Sequence, residues 1–386
     1  MSQCQETNMR PTADGSSECQ ALLTLEPDTC PPNSPVSSTP AIAGAARNLS
    51  NKFGTYTVQR ESYQYELSIV IVSYNTKDLT RECLQSVYRE AEGISIEVLL
   101  VDNNSGDGSP LMIETEFPQV RLMRSAVNLG FGAANNLALK AARGRYIVLL
   151  NTDAFLSPGS LATALAHMDA NPRAALGGAR LVGRDQSLQP SARMFPHVFS
   201  DLLVLTGLAA KFPRSRFFGY FDRTWADPLQ PSQADWVPGA FSIIRSDVLA
   251  SVGFFDPRFF MYGEEVDLCR RIKRAGHEIW YWPDVVVVHI GGESSRGTKD
   301  SGLPGAQVVN WRMRSTLLYY RKHHGSMAWV ARWVESLLYR ITYLRNRLSK
   351  TPARQARSQR YRNLALAMRS AWIQTQGGRV SPPHPW

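Results

Sequence analysis

Between residues 67 and 151 the chain repeats one pattern, and that repetition limits the folds open to it. Four short runs, 67–73 (LSIVIVS), 96–101, 120–124 and 145–151 (RYIVLLN), alternate with helical stretches or glycine-bearing breaks. The first, second and fourth runs are almost wholly apolar, as strands buried on both faces of a parallel sheet are. Residues 77–90 place Leu79, Cys83, Leu84 and Val87 on one helical face, and residues 130–143 are alanine-rich. Ser157-Pro-Gly-Ser opens a further helix, with Ser157 suited to the N-cap and Pro158 to the first turn. This alternation predicts an α/β fold with an open, mostly parallel sheet. In such sheets a ligand sits beyond the carboxyl ends of the strands. That rule singles out Ser73-Tyr74-Asn75, Asp102-Asn103-Asn104 and Asn151-Thr152-Asp153, each following an apolar run.

The flanks have a different texture. Residues 1–60 are rich in Ser, Thr, Pro and Gly, punctuated by Pro31, Pro32, Pro35 and Pro40, and read as disordered, with a peripheral strand expected near 53–65. No basic start leads into an apolar run, and no uncharged apolar stretch reaches the roughly 18 residues of a membrane span, so neither a signal peptide nor a transmembrane helix is expected. The five cysteines, Cys4, Cys19, Cys30, Cys83 and Cys269, show no C-x-x-C spacing. That argues against a disulfide framework or structural zinc and fits the cytoplasm.

The net charge of +10 is local: residues 312–386 hold fifteen Lys/Arg and one acid, Glu335, whereas residues 61–311 hold 24 basic and 27 acidic side chains. A basic tail on a near-neutral body points to an anionic surface, and the neutral body argues against a nucleic-acid-binding protein. Within 327–348, Val330, Val334, Leu337, Ile341, Leu344 and Leu348 recur at helical spacing, with Arg332, Arg340, Arg345 and Arg347 around them and Trp329, Trp333 and Tyr339 added. Residues 326–370 are therefore expected to lie on an anionic membrane surface. A helix docked on the body or on a partner subunit is the rival reading, and the oligomeric state is left open.

Several clusters carry chemistry. Asp153, at a strand end, is a hard-oxygen ligand for Mg²⁺ or Mn²⁺, or else caps the next turn. Asp102 accepts from a pyrimidine N–H or ribose hydroxyl, or else closes an Asx-turn. In 128–136 (NLGFGAANN), Gly130 and Gly132 permit close backbone approach at a helix start, and Asn135 and Asn136 are mediocre helix formers that imply a task. In 261–271 (MYGEEVDLCRR), Glu264 and Asp267 share a helical face and Glu265 points elsewhere. Such acids either favour the helix N-terminus or supply a general base. His289 leaves the apolar run 285–288 into Gly291-Gly292, as a metal ligand or a structural histidine. The second half is less regular: 183–235 is loop-rich, 236–245 and 278–289 read as strands, and 264–275 as a helix.

Residues 66–322, about two-thirds of the chain, resemble family 2 glycosyltransferases of the GT-A fold, and within them the bacterial rhamnosyltransferase branch. The resemblance rests on IVIVSYN (69–75), VLLVDNNSGDGS (98–109), NLGFGAANN (128–136), YIVLLNTDAFLSPG (146–159), WVPGAFSIIR (236–245), VGFFDPRFFMYGEEVDLCRRIKRAG (252–276) and VVHIGGESS (287–295), in order and at suitable spacing. It implies that Ser73, Tyr74, Asn75 and Asp102 line the nucleotide pocket, and that Asn128, Gly130, Phe131 and Asn135 close it. Asp153 becomes the metal carboxylate and His289 completes the site. Asn151 stands where the family often has a first acid and is assigned to the sugar or ribose. Glu265 is assigned as base, with Glu264 and Asp267 positioning the acceptor or the helix. Many relatives have Glu-Asp where this chain has Glu264-Glu265, and the extra methylene moves the carboxylate by roughly 1 Å, which keeps Glu264 in contention. Trp236 and Gly239, within 236–240, and residues 259–262 are expected to shape the acceptor pocket.

The implied division is a disordered segment 1–60, a GT-A domain 61–322 with a Rossmann-like nucleotide-binding half and an acceptor half, and a basic amphipathic helical tail 323–386. The implied function is inverting transfer of a sugar, rhamnose from dTDP-rhamnose foremost, to a saccharide or lipid-linked saccharide in cell-surface polysaccharide synthesis, on the cytoplasmic face of the inner membrane. Transfer of another UDP- or dTDP-sugar, such as an N-acetylhexosamine or glucose, and a non-catalytic nucleotide-sugar or glycan-binding scaffold are the alternatives.

Overall fold

Side-chain alternation along the strands divides the apolar residues between two cores. β1 (Tyr65–Ser73) sends Leu67, Ile69 and Ile71 to one side and Val70 to the other; β2 (Ile96–Asp102) sends Val98 and Leu100, then Leu99 and Val101; β4 (Gly144–Asn151) sends Tyr146, Val148 and Leu150, then Ile147 and Leu149. None of these side chains is more than 3% exposed, which is why the runs read as continuous rather than alternating. The first core is covered by α1 (Lys77–Glu90), α2 (Ser109–Glu116) and α4 (Ser160–Ala170); the second by α3 (Phe131–Leu139), α7 (Ser246–Val252) and α8 (Glu264–Arg274). Each buried Leu, Ile or Val contributes about 1.5–3 kcal/mol. The computed structural model describes residues 63–291, 306–349 and 351–382. The expected disorder of 1–60, most of the expected strand near 53–65, and Gly292 lie outside the described residues.

The main sheet runs β3 (Arg121–Arg124), β2, β1, β4, β9 (Phe241–Arg245), β6 (Ala174–Val182), β10 (Glu278–His289), β5 (Ala154–Leu156), with β7 (Leu188–Gln189) and β8 (Ser232–Gln233) pairing onto β6 and β10. The half from β3 to β4 is parallel throughout; β9 then runs antiparallel to both β4 and β6, and β5 antiparallel to β10. The α/β sheet is thus mixed, with its parallel half where strand and helix alternate in sequence.

Some boundaries move. Ser157 is not the N-cap of α4: the Ser160 N–H and hydroxyl both donate to the Ser157 carbonyl, closing a turn, and Gly159 takes the cap position. Only Phe241–Arg245 of 236–245 joins the sheet; Trp236 makes an isolated bridge to Arg193. The region read as loops contains α5 (Val198–Leu205) and α6 (Leu208–Lys211).

The C-terminal part is helical: α9 (Ala306–His324), α10 (Met327–Arg347) and α11 (Pro352–Gln374). α9 carries Leu318 and Tyr319 into the second core and, on its other side, Met313 and Leu317 into a third core with Tyr339, Met368 and Ala371. The expected boundary at 322/323 falls inside α9, so the helical extension is built onto the body by a continuous element. Among the described residues, no helix is long and apolar enough to cross a membrane.

Candidate active site

Parallel register brings the predicted polar clusters level. Ser73 pairs with Asp102, and Val72 with Asn151, so three strand ends open on one crevice. Ser73 itself does not line it. It is fully buried, and its hydroxyl joins Thr80 at 3.1 Å and Thr76 at 3.4 Å, while Thr76 donates to Thr152 at 3.1 Å. This hydroxyl cluster ties the ends of β1 and β4 beneath the crevice. Tyr74 is half-buried and Asn75 exposed at the rim, where the Asn75 Oδ1 accepts the Gly106 N–H at 2.8 Å.

The two Asp102 oxygens differ. Oδ2 accepts the Ser105 N–H at 3.1 Å, an Asx-turn, while Oδ1 is buried with no partner among the described residues. A buried acceptor left unpaired costs about 1–3 kcal/mol, so this oxygen is poised for a donor on a ligand. Neighbouring Asn103, named in the strand-end cluster without a role of its own, is a hub: it donates to Asn128 Oδ1 at 2.9 Å and accepts the Leu129 N–H at 2.8 Å.

The 128–136 segment makes many of its hydrogen bonds within the protein. Gly130 has φ +77°, and a Cβ there would lie 2.1 Å from the Phe260 carbonyl oxygen, to which the Phe131 N–H donates at 2.8 Å. The close approach anticipated at this glycine is therefore to the 253–263 loop. Asn135, 1% exposed, donates to the Phe131 carbonyl in its own helix, and Asn136 holds both backbone groups of Phe255 at 2.8 and 3.1 Å. Asn128 Oδ1 also accepts the Gly130 N–H at 2.9 Å. Gly130 and Asn135 thus hold the local backbone of the pocket wall through contacts within the protein. Phe131 stays partly exposed, its ring 3.4 Å from where a Cβ would stand on Gly239, so these two predicted residues do meet.

The acidic loop is clamped from several sides. Asp256 binds Arg258 and, at 2.8 Å, Lys322; Arg271 donates to the carbonyls of Val252, Gly253 and Phe254; Ser315 donates to the Met261 carbonyl at 2.8 Å. Asp267 is fully buried, 3.0 Å from Arg271, 2.6 Å from Lys322 and 2.7 Å from His323. Burial opposes its charge, but the His323 hydrogen bond and the Arg271 and Lys322 charges outweigh this and hold the carboxyl well below its usual range. Of the two roles expected for Asp267, these contacts fit the one that fixes the helix, since the carboxylate is fully buried with both oxygens paired to the protein. Trp236 departs from expectation too. It is 5% exposed, its Nε1 donates to the Met194 carbonyl, and the Arg193 guanidinium covers its ring at 5.1 Å, so it presents no face to a sugar.

That scaffold sets Glu264 and Glu265 at the first turn of α8. Glu264 is 3% exposed, Glu265 partly exposed, and Oε2 of each is buried without a partner among the described residues. Burial raises both carboxyls; the neighbouring Glu265 charge adds to the effect on Glu264, and Arg193 opposes it at Glu265.

At the other end of the crevice β10 pairs His289 opposite Ala154 of β5, next to Asp153. Gln189 donates through Nε2 to the His289 carbonyl at 2.7 Å, so its Oε1 accepts from His289 Nδ1 at 2.8 Å. Nδ1 therefore carries the proton. Burial lowers the imidazole pKa, against the pull of Asp153, and favours the neutral ring. The bare Nε2 then faces Asp153 Oδ1 at 3.5 Å, with Asp153 only 5% exposed. Two facing electron-rich atoms, with the second ring nitrogen tied back, form a donor pair that fits a divalent cation. Among the described residues no group of three or more His, Cys, Asp or Glu forms such a site, so the rest of a coordination shell would come from ligand oxygens and water. Gln189 escaped sequence reading because a two-residue strand leaves no periodic signal.

A model of Glycosyl transferase family 2 matches residues 68–227. The N-acetylglucosaminyl-diphospho-decaprenol L-rhamnosyltransferase of Mycobacterium tuberculosis is 31% identical over 237 residues, which cover 58% of this chain and 75% of that protein. The rhamnosyltransferase WbbL of Escherichia coli is 25% identical over 262 residues, 65% of this chain and 91% of the relative. Among solved structures, the mannosyltransferase PcManGT from Pyrobaculum calidifontis superposes with a TM-score of 0.49 at 17% identity, covering 82% of this chain and 89% of that one. With strand-end clusters, acidic loop and relatives in agreement, the chain belongs to glycosyl transferase family 2 and is a glycosyltransferase.

Proposed function

We propose that this enzyme transfers a deoxyhexose, L-rhamnose, from a pyrimidine nucleoside diphosphate donor to a lipid-linked saccharide, with inversion and with a divalent metal. The observation that carries the reading is the Asp153–His289 pair, whose facing donors stand at the same crevice as the orphaned Asp102 Oδ1. A Mg²⁺ or Mn²⁺ ion held by Asp153 and His289 would neutralise the departing diphosphate. Asp102 Oδ1 accepts from the base or ribose, and Asn151, half-exposed at the end of β4, faces the sugar or ribose. The sugar and acceptor follow the Mycobacterium tuberculosis relative, whose name gives L-rhamnose and a diphosphodecaprenol-linked N-acetylglucosamine. An anionic membrane surface, met by the basic helices α10 and α11, fits such an acceptor.

Glu265 is the base. It is the more accessible of the two glutamates, and burial raises its pKa above the usual carboxylate range, which makes it a stronger base. Glu264, more deeply buried, holds the loop and the acceptor side of the crevice. In the reaction Glu265 removes the proton of the acceptor hydroxyl, that oxygen attacks the anomeric carbon, and the nucleoside diphosphate leaves from the opposite face. Glu265→Gln should lower kcat by about 10²–10⁴-fold with donor affinity unchanged. In the wild type, kcat should fall as pH drops through the raised Glu265 pKa, so the acid limb lies above the ordinary glutamate range. Near wild-type turnover in Glu265→Gln would move the base elsewhere. Thermal shift with dTDP, UDP or GDP and Mn²⁺ identifies the nucleotide, and Asp153→Ala should abolish the metal-dependent part of that shift.

A further inference from the structure

A cavity of about 870 Å³ opens among α5, α9, α10 and α11, away from the donor crevice. Five arginines line it, Arg312, Arg345, Arg354, Arg357 and Arg360, and the only acid in the lining is Glu335. Among the described residues none of the five arginines is ion-paired to a carboxylate, and Glu335 is not ion-paired to a cation. Burial pushes the Glu335 carboxyl up to about 8, so at neutral pH it leaves the arginine charge uncompensated. The floor is apolar, with Met313 and Tyr339 from the third core.

Two connections give the cavity a direction. At its mouth stand Leu205, 36% exposed, and Ile341, 43% exposed, the latter part of an apolar stripe along α10 that continues through Leu344 and Leu348. On its inner side the Arg312 guanidinium lies 5.6 Å over the ring of Tyr262, two residues before Glu264. An arginine cluster therefore stands between an apolar track and the loop that carries the base.

We infer that this cavity binds the diphosphate of an amphiphilic acceptor, with the hydrocarbon chain along the α10 stripe and the saccharide directed past Arg312 toward Glu265. The inference rests on the reading of the acceptor as lipid-linked. Guanidinium forks suit phosphate oxygens, and several unpaired arginines around one cavity suit two adjacent phosphates better than one.

The test is binding by the full chain of farnesyl diphosphate, inorganic pyrophosphate and farnesol, with dTDP or UDP plus Mn²⁺ titrated separately. Wild type should bind farnesyl diphosphate more tightly than either fragment. Arg357→Gln/Arg360→Gln, both exposed positions, should weaken that binding by about tenfold or more and leave nucleotide affinity intact, which also shows that the variant is folded. Unchanged farnesyl diphosphate affinity in the double variant overturns the site. Pyrophosphate binding as tight as farnesyl diphosphate overturns the lipid assignment in favour of a soluble polyphosphate. Transfer assays separate this from the acceptor reading: activity on lipid-free saccharides alone would refute that reading, whereas Arg-dependent binding of farnesyl diphosphate would support the site regardless.

Discussion

Asp267 sits at zero exposure with three cationic or hydrogen-donating partners, and removing its charge takes away the carboxylate they share, leaving Lys322 only Asp256 and Arg271 only backbone carbonyls. Breaking a buried ion pair from one side costs about 3–5 kcal/mol. Asp267→Asn should lose that much in urea denaturation, far more than Glu265→Gln, whose carboxyl has no salt bridge to break. The pH dependence has a definite sign. The Asp267 pKa is depressed in the folded state, so its contribution is complete above the ordinary aspartate range and lost as pH falls through the folded value. Acid unfolding of wild type should therefore be steeper than that of Asp267→Asn, and identical acid profiles would count against the clamp. The sequence allowed two roles for Asp267 and could not choose. Its helix partner Arg271 is four residues on, a local signal, but His323 is 56 residues away, and only tertiary packing brings it near.

At the scale of elements, the α3 entry and the acid loop form one unit, locked where Gly130 meets Phe260. Gly130→Ala would force a Cβ to within 2.1 Å of a backbone oxygen and add the strain of a positive φ. Overpacking of this kind costs about 1–3 kcal/mol beyond about 1 kcal/mol of backbone strain. Gly159→Ala is the comparison for a positive φ without a contact: φ is +76° with ψ 0°, the milder left-handed helical region, and space around the added carbon is open, whereas Gly130 has ψ −177°. The expected result is a larger fall in melting temperature for Gly130→Ala, together with lost turnover; equal falls would mean that strain alone, not the Phe260 contact, explains the glycine. The strands and the crevice were legible because burial on both faces leaves a continuous apolar run and parallel register fixes which strand ends are level. What was illegible was direction. Nothing in NLGFGAANN states whether its glycines and asparagines face a ligand or a loop more than a hundred residues later, and α5 and α6, short and rich in exposed apolar residues, resemble neither a core helix nor a loop.

For the whole molecule, the charge asymmetry becomes a surface. α10 buries Ala328, Ala331 and Tyr339 and turns Trp329 (54% exposed), Trp333 (52%), Leu337, Ile341, Leu344 and Leu348 outward. α5, which packs against α10, and the segment after it expose Phe199, Val204, Leu208, Phe212 and Phe217. The helical spacing of the tail was readable from sequence; the second half of the apolar face was not, because it comes from the 183–235 region. Arg340 and Arg347 on α10 are exposed as well, so an anionic bilayer is the cover proposed for this face, meeting both its apolar area and its charge. Replacing Trp329 and Trp333 together by Ser removes about half of two tryptophan surfaces, roughly 200 Å² worth up to about 5 kcal/mol if all of it enters the contact, so vesicle binding should weaken by about tenfold or more. Flotation with vesicles containing phosphatidylglycerol should show that loss, and high salt should weaken the wild type by screening the arginines. Vesicles of neutral lipid should bind poorly even to wild type. If the double variant floats as well as wild type, the face is buried against protein instead, and a shift in oligomeric state on the same substitution would identify a second subunit as its cover.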